Sequence, residues 1–130
     1  MERASGRFED AGVRAVAVGL CLPAEARAVC GRRAPNVRCL CDRSKAAYAA
    51  YGLADGDLFQ VLLGPEVVAG YARAAMQGHI ARPASSNDIW RMLPGTFAID
   101  DEGVVRAVHY ARHAGDQPDL GAMLAALRQA

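Results

Sequence analysis

Four cysteines and three histidines hold most of the reactive chemistry open to this chain of 130 residues. Cys21 comes first among them. It falls at the carboxyl end of an apolar run, VRAVAVGLCL, and just before a helix that Pro23 opens. Ligands of open α/β sheets gather at that edge, and a helix N-terminus favours the nucleophilic thiolate. The alternative is a buried small hydrophobe, a common role of free cysteine. Cys39 and Cys41 flank Leu40 and face the same way on a strand. Their Cα atoms then lie about 6.6–6.8 Å apart, at the long end of disulfide reach. Cys41 ends its strand beside the end of the Cys21 strand if the two strands are neighbours, which makes Cys21 and Cys41 a candidate thiol pair. Two thiols alone make no zinc site, and no C-x-x-C or paired histidine supplements them, so no metal is expected.

Other residue types offer weaker chemistry. His109, Tyr110, Arg112, His113 and Asp116 cluster late in the chain, and histidine is the natural proton carrier near neutral pH. His79, Trp90 and Arg91 lie in an irregular middle stretch, where they would either wall a pocket or cover the core. There is no nucleotide-binding loop, no H-E-x-x-H and no G-x-S-x-G, so no cofactor is expected.

The bulk numbers bound the class. The chain is 52% hydrophobic and 22% charged with a net charge of +1, which suits one domain with its own core and gives no electrostatic case for nucleic acid. Lys45 is the sole lysine. The opening MERASGRFED lacks the apolar segment of a secretory leader, and no run is long enough to span a bilayer. The expected compartment is the cytosol, where the cysteines would be thiols rather than a disulfide framework.

The elements that must position these residues read in order. Phe8 to Gly12 is the tail of a helix stopped by glycine. Val13 to Leu22 suits a strand buried on both faces. PAEARAVCGRR is a helix with Ala26, Val29 and Cys30 inward, Glu25 in its first turn and Arg32 and Arg33 in its last. Val37 to Cys41 is a second strand. Asp42 or Ser44 caps a helix whose inner face holds Ala47, Tyr48 and Tyr51, and Gly52 ends it. This rhythm is a βαβ unit. Leu58 to Leu63 is ambiguous between strand and helix. Pro65 to Gln77 is a helix with Val68, Tyr71, Ala72 and Ala75 inward, stopped by Gly78. Ala81 to Asp88 is a loop. Thr96 to Asp100 and Val104 to Tyr110 are strands joined through Asp101-Glu102-Gly103, a hairpin. Pro118 opens a closing helix on which Leu120, Met123, Leu124 and Leu127 share one face.

This order matches a thioredoxin-like fold, and four stretches resemble peroxiredoxin-like proteins of the AhpC/TSA class. CDRSKAAYAAYGL resembles their SD-x-x-x-x-x-Y-x-x-YG stretch, and AVAVGLCLPAEARAV their VVAVS-x-D-x-PEEARAF stretch. LFQVLLGPEVV…MQGH and PGTFAIDDEGVVRAVHYARHAGDQPD resemble the second half of the same group. The resemblance runs from about Phe8 onward. It implies a mixed sheet flanked by helices. It also implies an absence, because the strand and loop that carry the family's reactive cysteine precede the helix ending at Gly12, and this chain is expected to begin after them. That strand is the central one of the family sheet. Three repairs suggest themselves: direct antiparallel pairing of the two flanking strands, a strand from a second copy or partner, or Leu58–Leu63 moving in. Direct closure or dimerisation is favoured. Pro23 to Cys30 reproduces the Pro-to-Cys spacing of the family signature, but with Arg27 at the Thr position and one helix along, so the spacing is read as coincidence. Pro94 stands where thioredoxin-like relatives carry a cis-proline; an ordinary trans proline is the even alternative.

Three functions remain in view. The first is a shortened family member without the standard peroxidatic centre, serving as a binding or interaction domain or repurposed in a bacterial pathway. The second is a thiol-dependent oxidoreductase acting on a peroxide or disulfide through Cys21, with Cys41 as partner. The third is a non-redox enzyme with His113 or His109 as acid–base, near Trp90. Pro94, Trp90, Arg91 and Thr96 are the candidate substrate-binding residues. Expected partners are a second copy of the chain and a small-molecule ligand or thiol reductant, with no nucleic acid and no membrane.

Overall fold

A computed structural model describes residues 5–56, 64–78, 92–113 and 115–130. They divide into two units, Met1–Gly52 and Leu53–Ala130. The stretch Leu58–Leu63 and the residues His79, Trp90 and Arg91 lie outside the described residues.

The first unit runs α1 (Ser5–Asp10), β1 (Val16–Gly19), α2 (Pro23–Arg33), β2 (Arg38–Cys41) and α3 (Ala46–Ala50). β1 and β2 are parallel, with Val16 opposite Arg38, Ala17 opposite Cys39, Val18 opposite Leu40 and Gly19 opposite Cys41. This is the expected βαβ unit. Phe8, Leu20, Ala26 and Val37 are buried in it. The apolar run Val13–Leu22 does not become a strand covered on both faces. Burial alternates along β1, and Val16 and Val18 are exposed, as is Leu40 on β2. Val29 of α2 is likewise exposed, leaving Ala26 buried and Cys30 half-buried.

Helix starts in this unit follow the short polar side chains. The Glu25 carboxylate reaches back to accept from the Leu22 amide at 2.9 Å, the capping-box contact. Asp42 and Ser44 share the start of α3. Asp42 accepts from the Ala47 amide at 2.8 Å, and the Ser44 hydroxyl donates to Asp42 at 2.7 Å while accepting from the Ala46 amide at 3.3 Å. These bonds hold the Asp42 carboxyl below its ordinary value, Ser44 contributing most.

The second unit holds α4 (Pro65–Met76), β3 (Gly95–Ile99), β4 (Val105–Tyr110) and α5 (Leu120–Arg128). β3 and β4 form the expected antiparallel hairpin, with a bulge between Ala98 and Ile99. Its turn is built around Asp100, whose Oδ1 accepts from the amides of Glu102 at 3.0 Å and Val104 at 2.8 Å. Gly103 takes φ +81° there, a conformation that glycine alone adopts without strain. Arg106 pairs with the other Asp100 oxygen. Phe97 and Tyr110 meet edge to face at 5.6 Å. An isolated antiparallel bridge joins Asp55 to Met92 just before β3.

Helix α4 presents a different face from the one expected. Val67 is 1% exposed and Val68 54%, and Tyr71, Ala72 and Ala75 are exposed while Gly70 and Ala74 are half-buried. The covered stripe is therefore Val67, Gly70 and Ala74. The adjacent Val67-Val68 pair lets the apolar pattern be read in either of two registers, and close packing chooses between them: a Cβ on Gly70 would meet the Gly115 backbone at 3.4 Å. α5 keeps the expected face, with Met123 and Leu124 buried. It starts at Asp119, which accepts from the amides of Gly121 at 2.9 Å and Ala122 at 3.1 Å.

Among the described residues β1 pairs with β2 in the first unit and β3 with β4 in the second. No described helix is long and apolar enough to cross a membrane.

The cap at Asp119 is testable. Asp119→Ala removes the acceptor of two orphan amides and should cost about 1 kcal/mol, read as a lower midpoint at unchanged slope in urea unfolding.

Candidate functional site

The sulfur chemistry of this chain collects at the β1–α2–β2 unit. The parallel register sets Gly19 opposite Cys41. Glycine leaves the space beside Cys41 empty, and Cys21, two residues further on, occupies it. A Cβ at Gly19 would lie 3.3 Å from Cys21 Sγ. The two sulfurs, Cys21 Sγ and Cys41 Sγ, are 3.9 Å apart, part-buried, and within sulfur hydrogen-bond reach. Both cysteines are unbridged. The candidate pair from sequence is thus brought together in space.

The surroundings of that pair come from α2 and α3. Burial pushes the Cys41 thiol up, the hydrogen bond and charge of Cys21 push it further, and Glu25 adds to the rise; Arg27 opposes it. Tyr48 of α3 donates its hydroxyl to the Val18 carbonyl at 2.8 Å. Desolvation, with the charges of Asp42 and Cys21 behind it, raises the phenol above its ordinary value, so Tyr48 stays a donor at neutral pH.

The other two cysteines are bonded to each other. Cys30, in the last turns of α2, and Cys39, on β2, form a disulfide with Cα atoms 6.5 Å apart. The expectation that all the cysteines are thiols is therefore corrected. Helix and strand run back to back across a short turn, which puts the two side chains within bridging distance. The usable signals in the sequence are the inward reading of Cys30 and the shared face of Cys39 and Cys41. Cys39 and Cys41 do occupy the covered positions of β2, with Arg38 and Leu40 on the open ones.

A cleft of ≈ 290 Å³ in the same unit lies at the opposite end of β1, lined by Phe8, Val13, Arg14 and Asn36 among others. Neither Cys21 nor Cys41 lines it.

In the second unit the histidines are tied to carboxylates. His109 Nε2 is 3.5 Å from Asp116 Oδ1 and is buried without a hydrogen bond of good geometry among the described residues. Asp116 Oδ2 accepts from the Arg112 amide at 2.9 Å and from Arg112 Nε at 3.2 Å. His113 Nε2 lies 3.2 Å from Glu66, and its Nδ1 accepts from the Gly115 amide at 3.2 Å. Both imidazoles thus anchor the segment after β4. Thr96 pairs with His109 in the hairpin ladder. Pro94 follows a trans bond, there being no cis peptide among the described residues, and its carbonyl accepts from the Ala111 amide at 3.0 Å. The cis reading of Pro94 is thereby set aside. Of the candidate substrate wall, Trp90 and Arg91 lie outside the described residues. No group of three or more His, Cys, Asp or Glu among the described residues is arranged to hold a metal ion.

Residues 1–113 match the family model described as AhpC/TSA antioxidant enzyme. No curated protein and no solved structure matches the chain.

The Asp116 cluster makes a pH prediction. The Arg112 backbone amide, then the Arg112 side chain and the charge of His109, hold the carboxyl below its ordinary value of 3.8. A carboxyl lowered in the folded state adds stability that is whole above the unfolded value and is lost as pH falls through the folded one. Asp116→Asn should therefore be less stable than the parent chain at pH 7, with the gap closing below the ordinary value of 3.8, as followed by urea unfolding across pH.

Proposed function

Because the chain belongs to the AhpC/TSA antioxidant enzyme family, of thioredoxin-like fold, we propose that it is a thiol-dependent oxidoreductase whose redox pair is Cys21 and Cys41. The observation that carries this reading is the 3.9 Å separation of their sulfurs at the carboxyl edge of the parallel strands, where α/β folds place their chemistry. The roles follow from the surroundings. Cys21 precedes the N-terminus of α2 and acts as the nucleophile. Cys41, its thiol held up by burial and by Cys21, is the protonated partner that resolves the first product.

With a hydroperoxide the steps balance. The Cys21 thiolate attacks the terminal oxygen, the O–O bond breaks, and the alkoxide or hydroxide leaves and takes up a proton. Cys21 is then a sulfenic acid. The Cys41 thiol displaces its hydroxyl, forming the Cys21–Cys41 disulfide and releasing water. An external thiol reductant, working in a reducing compartment such as the cytosol, restores both thiols.

The test compares peroxide consumption and thiol count. The parent chain should consume hydrogen peroxide and form a Cys21–Cys41 link. Cys21→Ser should abolish consumption, and Cys41→Ser should leave a Cys21 sulfenate that a dimedone probe captures. Unchanged consumption in Cys21→Ser sinks the proposal.

A second reading rests on a different observation. Val16 and Val18 of β1 and Leu40 of β2 are exposed together on one face of the parallel pair, which favours a non-catalytic interaction domain that dimerises through it. Val18→Lys should then shift the chain from dimer to monomer in sedimentation. A monomer in the parent chain removes this reading.

A further inference from the structure

We infer that Cys21 and Cys41 together form a chelating site for a soft monovalent cation, copper(I). The inference rests on the placement of the two sulfurs and does not need the oxidoreductase reading above. Their separation of 3.9 Å is the first support. Thiolate sulfur holds a small ion with a filled d shell, such as zinc, at about 2.3 Å. At a similar bond length one copper(I) ion touches both sulfurs with an S–metal–S angle of about 115°. A straight S–metal–S line needs the sulfurs only about 0.7 Å further apart. Neither cysteine is bridged, and both are half-buried, so a small ion can reach them.

The number of donors selects the metal. Thiolates favour soft ions, copper(I) and zinc among them. Zinc takes four ligands in structural sites, and three with a water in catalytic ones. Among the described residues no group of three or more His, Cys, Asp or Glu could hold a metal ion. Two thiolates leave zinc half-coordinated, whereas copper(I) is held by two or three sulfurs.

The charges also fit. Binding exchanges two thiol protons for one copper(I) ion. Copper stays monovalent and the sulfurs stay thiolates, so no electrons move. Two thiolates and one monovalent cation leave a single net negative charge. Cys21 precedes the N-terminus of α2, a helix of 11 residues, and a helix N-terminus favours negative charge. The charge of Arg27, on the same helix, favours the Cys41 thiolate, while that of Glu25 disfavours it. Glu25 is itself engaged by the Leu22 amide at 2.9 Å. Copper and peroxide would therefore compete for the same thiolates.

Copper(I) itself is the probe. It is supplied without oxygen as its coloured bicinchoninate complex, with ascorbate to keep it monovalent. Ascorbate leaves the Cys30–Cys39 bridge closed. The parent chain should take one copper per chain and bleach the colour in proportion. Losing only an outer partner of a metal ligand costs about 10–100-fold in affinity. Cys21→Ser and Cys41→Ser, which remove a ligand outright, should each weaken binding by about a hundredfold or more. Zinc offered as a coloured chelate should stay with the chelator. A second measurement uses no substitution. Trypsin puts Cys21 on residues 15–27 and Cys41 on 39–43, so alkylation of each thiol is read by mass. One equivalent of copper should protect both thiols together. The inference is overturned if copper stays with bicinchoninate, or if both serine variants take it as tightly as the parent. It is equally overturned if copper leaves alkylation of the two thiols unchanged. Zinc held as tightly as copper overturns it too, because the site then has more donors than two thiolates. Peroxide consumption by the metal-free chain is read separately. Copper binding without peroxide consumption leaves this inference standing and removes the oxidoreductase reading; peroxide consumption without copper binding does the reverse.

Discussion

The parallel pairing of β1 with β2 is the constraint from which the site follows. Its register sets Gly19 against Cys41, and a Cβ at Gly19 would crowd the Cys21 sulfur at 3.3 Å. A slip of one residue would turn every side chain of one strand to the other face. Cys39 and Cys41 would then leave the covered side, and neither sulfur pair would meet. The register is held by hydrogen bonds that run past the strands at both ends, from the Arg38 amide to the Ala15 carbonyl and from the Asp42 amide to the Gly19 carbonyl. Asp42 in turn organises the start of α3, so the strand end, the next helix and the sulfur pair are fixed together.

The second unit is ordered by carboxylates. Asp100 ties the hairpin turn to Arg106, Asp116 gathers Arg112 and His109, and Asp119 starts α5. Each accepts backbone amides that a turn or helix start would otherwise leave unpaired. The residues after β4 that look catalytic in the sequence thus have structural partners: His113 bridges to Glu66 of α4, and His109 lies against Asp116.

Local chemistry makes much of this legible in the sequence. Gly12, Gly52, Gly78 and Gly103 all take positive φ at the stops and turn where the sequence places them. The hairpin is visible in its β-branched runs, and α5 in the spacing of Met123 and Leu124. Burial is less visible. The valines of β1 suggest two covered faces, but which face a strand buries depends on what packs over it, and Val16 and Val18 carry no mark of that. The inner stripe of α4 lies one position away from the one its pattern suggests for the same reason, since Val67 and Val68 are chemically identical. In the site, the meeting of Cys21 and Cys41 follows from strand ends alone. The Cys30–Cys39 bond does not, because it depends on how the end of α2 lies over β2, which is set by the turn between them rather than by either element's pattern.

That bond also has a thermodynamic side. It closes a loop with a sequence separation of 9, and denying the unfolded chain that freedom is worth about 2.5 kcal/mol in the chain-entropy account. Domains of this size hold only about 5–15 kcal/mol in total. The oxidation state of the bridge and the ruggedness of the βαβ unit are therefore linked quantities. Under reducing conditions the unit that houses the sulfurs becomes easier to melt than it is with the bridge in place, and its resistance to heat or protease becomes a gauge of the ambient thiol poise.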